Sequence, residues 1–145
     1  MQKRGVSDQL FIYIFIAIVV GLVFLFGLKQ INNVKELNDK AVYLEFKSDF
    51  VKAVEEVYNK NKGTIVTYSG KSSNKPLTLP NEVRRLSFEI TNGKINVIPS
   101  ESSYKSFSVE NLRTNLNYLE NKNGVSFVLE NDIIDGETVV LLKNA

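Results

Sequence analysis

The sequence predicts an α+β protein: an N-terminal transmembrane helix that continues into an amphipathic helix packed on a small antiparallel β-sheet. Three observations predict it. Leu10 to Leu28 form an unbroken apolar run, LFIYIFIAIVVGLVFLFGL. Residues 34–57 keep a helical period while charges appear between the apolar positions. From Gly63 onward the pattern changes to short β-branched runs divided by Gly, Asn and Pro.

The apolar run comes first because its length is physically selective. Nineteen residues rising 1.5 Å each span about 28 Å as a helix, close to the ~30 Å hydrocarbon core of a bilayer. Lys3 and Arg4 precede it and Lys29 follows it. A buried core helix of this composition would need a larger protein around it than the remaining chain supplies. The run ends in Phe24-Leu25-Phe26-Gly27-Leu28, with no small-residue site for ordinary signal-peptide removal. Lysines and arginines near the two ends balance, so charge alone does not orient the span. Residues 1–9 form a basic leader or tail too short to fold, which leaves the working domain C-terminal to the membrane. Inside the run, Ala17 and Gly21 make a small-xxx-small pair that permits close helix approach or plain lipid contact. Tyr13 lies where an interfacial aromatic would sit.

Residues 29–62 predict a stalk helix. Val42, Phe46, Phe50, Ala53, Val54 and Val57 fall on one helical stripe, with Glu45, Lys47, Asp49, Lys52, Glu55 and Glu56 largely off it. Val34, Leu37, Ala41 and Leu44 extend an apolar seam toward the membrane at 3–4 spacing. Ser7 is suited to cap the helix start and Asp8 to its positive end. Asn61 and Gly63 signal its stop. One helix from about Ser7 to about Asn61 follows.

Residues 63–145 predict a β head. Gly63–Tyr68 reads as a short strand, and 69–81 as a polar loop punctuated by Pro76 and Pro80. Leu86, Phe88 and Ile90 alternate, Asn92-Gly93 turns, and Ile95 and Val97 follow, which is a hairpin with a type I′ turn. Pro99–Lys105 reads as loop. Residues 109–119 fit both a helical and an alternating period, and the poor helix propensity of Asn and Thr favours strand. Asn123-Gly124 then offers a second hairpin turn into Val125–Leu129, and Asp135-Gly136 leads into a last strand over 138–142.

Composition removes several chemistries. The chain has no Cys, His or Trp, so disulfides, His-based triads and the usual ligands of zinc, haem or iron–sulfur sites are absent. Without Lys3, Arg4 and Asp8, 16 basic and 15 acidic residues remain, and no basic stripe suggests nucleic acid. The stretch GTIVTYSGKS fails as a phosphate-binding loop, with six residues between Gly63 and Gly70 where four are required. Ser72/Lys75 and Ser102/Lys105 have Ser-x-x-Lys spacing, the pattern of a Ser–Lys membrane hydrolase. That chemistry needs a desolvated amine, and both pairs fall in polar stretches. In ENDIIDGE, Asp132 and Asp135 are weak calcium candidates, since Ile133 and Ile134 interrupt the ligand alternation. No catalytic residue, resident metal or cofactor is expected.

Lys3-Arg4-Gly5-Val6-Ser7 before the apolar helix resembles the class III signal sequence of archaeal type IV pilin-like proteins. The longer stretch KRGVSDQLFIYIF is similar to the opening of small uncharacterised single-span archaeal membrane proteins. The resemblance implies cleavage between Gly5 and Val6 by a prepilin-type peptidase, with the apolar helix left on the mature protein. It also implies a cytoplasmic leader and a head on the outer side of the cell membrane. Many pilins carry Glu at the fifth mature position; here that position is Leu10. The expected function is that of a pilin-like or pseudopilin-like structural and assembly protein, not an enzyme, partnered by membrane lipid and by its own copies or a membrane complex. An uncleaved, membrane-anchored binding subunit is the alternative.

Overall fold

A computed structural model describes residues 5–69, 77–122 and 124–145, with side chains from residue 9 onward. The chain divides into two compact units, Met1–Asn38 and Asp39–Ala145. Helix α1 runs from Gly5 to Tyr58 and contributes to both. It begins two residues before Ser7, which therefore lies inside the helix and is not its N-cap. In the first unit every residue from Gln9 to Asn38 is exposed.

The second unit is an α+β domain. Its strands are β1 (Ile65–Tyr68), β2 (Arg85–Thr91), β3 (Lys94–Pro99), β4 (Phe107–Val109), β5 (Leu112–Thr114), β6 (Tyr118–Glu120), β7 (Phe127–Ile134) and β8 (Glu137–Asn144). They form two four-stranded sheets, ordered β1-β7-β8-β5 and β4-β3-β2-β6. The first sheet is mixed: β5 runs parallel to β8, with Leu112 opposite Val140, while its other pairs are antiparallel. The second is antiparallel throughout.

The single antiparallel sheet expected from sequence is thus two sheets, because the chain crosses between them three times after β4. Only Glu110 and Asn111 separate β4 in one sheet from β5 in the other. Asn111 makes that reversal in the left-handed region, at φ 57°, which Asn tolerates better than most residues. Its carbonyl accepts the Val140 amide at 2.7 Å and ties the corner to β8. The strand expected over 112–118 is present as β5 and the start of β6, with a break at 115–117. The Thr114 hydroxyl manages the break, donating to the Leu142 carbonyl at 3.0 Å and accepting from the Leu116 amide at 3.0 Å. Asn123 of the turn expected at Asn123-Gly124 lies outside the described residues, and the strands on either side of it pair elsewhere: β6 with β2, β7 with β1 and β8. By contrast, Asn92-Gly93 and Asp135-Gly136 both turn with two positive φ angles, as type I′ hairpins require.

One helix face closes the domain. Tyr43, Phe46, Phe50, Ala53, Val54 and Val57 are buried. Phe50 lies 5.4 Å from the Phe127 ring in one sheet and 6.1 Å from the Phe107 ring in the other, so the helix packs across both. Leu77, Leu79 and Val83 cover the core from the β1–β2 connection. Val34, Leu37, Ala41 and Leu44 take no part in it and stay exposed.

Candidate functional site

The feature with the plainest functional chemistry is the apolar part of α1. Leu, Ile, Val and Phe side chains surround the whole circumference of residues 10–28, so no face of the helix is polar. The segment is long and apolar enough to cross a membrane, and none of its most apolar window is buried in the protein. Phe11, Tyr13 and Phe26 are each 70% exposed. An apolar surface of that size does not rest against water. It needs lipid or other apolar helices. Ala17 and Gly21 are both exposed, and a Cβ built on Gly21 meets nothing within 4 Å, so that face is open to a neighbour. Gly5 and Val6 lie in the first turn of the helix.

Among the described residues the head offers shallow grooves. One, of about 620 Å³, runs past Asn115, Asn117, Tyr118, Ser126 and Asn144. At its edge the Arg85 guanidinium stacks over the Tyr118 ring at 4.7 Å. In the same groove the Glu120 carboxyl is held below the usual carboxylate range by its hydrogen bond to Lys122. A second groove, of about 550 Å³, lies between the helix and Leu77, with Glu45, Asp49 and Glu56 on its wall.

The other sequence candidates are separated or exposed. Ser72 and Lys75 lie outside the described residues. Ser102 and Lys105 are both exposed, whereas a Ser–Lys dyad needs a buried amine. ENDIIDGE is mostly strand: β7 continues through Ile134, and only Asp135-Gly136 turns. Asp132 accepts the Ile133 amide at 2.8 Å and stands 3.9 Å from the Lys62 ammonium, while Glu130 pairs with Lys143 across the β7–β8 ladder. Among the described residues no group of three or more His, Cys, Asp or Glu could hold a metal ion.

Sequence reasoning missed two groups that set the domain's chemistry. Asn131 is the buried polar residue of the core, at 1% exposure. Its Nδ2 donates to the carbonyls of Val57, Tyr58 and Lys60 at 2.9, 2.9 and 3.1 Å. Val57 and Tyr58 carry the last carbonyls of α1, and Lys60 belongs to the turn just beyond it. The backbone around Asn131 pairs with Gly63 and Thr64, fixing the turn that follows. The second group is a tyrosine pair. Tyr43 and Tyr104 lie 4.9 Å apart, and the Tyr43 hydroxyl donates to the Lys105 carbonyl at 2.6 Å. Burial pushes Tyr43 up to about 12; burial and then the Glu82 carboxylate push Tyr104 to about 12 as well.

No protein-family model matches the chain, and neither does any curated protein or solved structure. The class defined by the fold is accordingly an architectural one: an α+β domain carried on a helix able to span a membrane.

Proposed function

We propose that this chain is a single-pass, membrane-anchored structural protein of pilin-like or pseudopilin-like kind, whose β head stands outside the cytoplasm. The observation that carries the reading is the exposed apolar helix. Its residues 10–28 are unburied and uncharged, and lipid or a packed array of like helices is the medium that suits them. Lys3-Arg4-Gly5-Val6 ahead of that helix supports removal of the leader between Gly5 and Val6. The mechanism is assembly: apolar helices pack side by side, Ala17 and Gly21 allow close approach, and the head presents its grooves to neighbours.

A second reading is favoured by one residue. Leu10 stands where many pilins carry the Glu that neutralises a neighbour's terminal amine, which suits an uncleaved anchor for a binding subunit. The mass of the N-terminal peptide from protein purified out of native membranes separates the two. Loss of Met1–Gly5 is the expected result; an intact leader would turn the assignment to the plain anchor.

A further inference from the structure

We infer that the groove past Asn115, Asn117, Tyr118, Ser126 and Asn144 binds a neutral oligosaccharide. The inference gives the head a ligand beyond the assembly reading, and it stands on the domain Asp39–Ala145 alone.

The polar groups of this groove are unspent. Other asparagines of the domain work for the fold: Asn96 accepts the Ser108 hydroxyl at 2.8 Å, Asn121 donates to the Val83 carbonyl at 2.8 Å and accepts the Gly124 amide at 3.1 Å, and Asn131 caps α1. The side chains of Asn115, Asn117, Asn144 and Ser126 are exposed and make no hydrogen bond with any described residue. Three carboxamides and a hydroxyl thus converge on one cleft with their donors and acceptors available. Their frame is fixed. The Thr114 hydroxyl holds the Leu116 amide at 3.0 Å, and the Asn117 carbonyl accepts the Phe88 amide at 3.1 Å. A ligand there pays little to order the backbone beneath it.

The chemistry of the lining selects the ligand. A carboxamide offers an acceptor oxygen beside a two-donor nitrogen, so it can pair with two neighbouring hydroxyls, each of which both donates and accepts. Tyr118 adds an aromatic surface, 46% exposed, whose negative face suits the C–H face of a sugar ring. The Arg85 guanidinium, 4.7 Å from the ring centre, holds that ring in place. Glu120 and Lys122 pair with each other in the groove, so their charges cancel and the ligand they suit is neutral. The volume of about 620 Å³ lies within the range of small-ligand clefts. A peptide fits less well, because edge strand β6 is three residues long and makes a poor template for an added strand.

The test is titration calorimetry on the full-length protein in phosphatidylcholine nanodiscs, which carry no sugar. The probes are short neutral oligomers of glucose, galactose, mannose and N-acetylglucosamine, beside an oligogalacturonate as the acidic counterpart. Saturable binding of at least one neutral oligomer, and weaker binding of the acidic one, is expected. Tyr118→Ala should weaken that binding about tenfold. Asn117→Ala and Asn144→Ala, which remove exposed side chains and leave the fold intact, should each weaken it severalfold. Tyr118→Phe keeps the ring, and Thr91→Ala lies at the far end of β2; both should bind as the parent does. No binding of any neutral oligomer, binding indifferent to the Tyr118 and asparagine substitutions, or preference for the acidic oligomer would overturn the inference. The anchored reading would survive that failure, since it is tested by the N-terminal peptide.

Discussion

Asn131 shows how much one side chain decides in the head. Its amide meets three carbonyls, so its nitrogen must face them; the oxygen would meet lone pairs. Asn131→Ala removes the donors of a side chain that is itself buried, at a cost of about 1–3 kcal/mol. A lowered urea midpoint with unchanged slope, measured on the full chain in detergent, is the expected outcome. Asn131→Asp should cost more, since a carboxylate would face the same carbonyls. The residue was not legible in the sequence: Asn is abundant here, and only the approach of β7 to the end of the helix separates this one from its surface counterparts. The tyrosine pair makes a second residue-scale prediction. Tyr43 and Tyr104 titrate near 12 when folded, against 10.0 for an ordinary tyrosine. The folded state therefore holds its protons to higher pH than the unfolded chain does. Their contribution is complete below pH 10 and is lost as pH rises through 12. Thermal unfolding should show a falling midpoint across that window, absent in a Tyr43→Phe, Tyr104→Phe double variant.

At the scale of elements, the helix was the legible part and the sheets were not. The stripe Phe46, Phe50, Ala53, Val54, Val57 is buried as its period requires, with Tyr43 beside half-buried Val42 as the one added position. Both I′ turns were readable because Asn-Gly and Asp-Gly permit positive φ twice in succession. The strand reading over 112–118 holds at β5 and at the start of β6, but β4 and the break at 115–117 were not readable, since three residues carry too little alternation to declare a face. Nor does a turn dipeptide say whether the next strand returns to the same sheet; the flanks of Asn123-Gly124 go to different ones. Packing across two sheets gives Phe50 an outsized role, with Phe46, Phe107 and Phe127 rings within 6.1 Å. Phe50→Ala should cost about 3–5 kcal/mol and separate helix from head as one event. Proteolysis of the full chain checks this, the expected result being cleavage within 107–127 that the parent chain resists.

For the whole molecule, the functional chemistry lies in the surfaces. Exposed apolar side chains run along α1 from Leu10 to Leu28 and again over Val34–Leu44, while the head closes its own core and leaves shallow polar grooves. The membrane-sized run was fully legible in the sequence, because nineteen uncharged residues in a row allow few alternatives. What the head contacts was not legible, for its grooves are lined by residues drawn from separate strands and from the end of the chain. The most direct test of the account is flotation of the full-length protein with lipid vesicles after removal of detergent. Migration with the vesicles, resistant to high salt and alkaline carbonate, is the predicted result. A monomer that stays in the dense soluble fraction without detergent would contradict it.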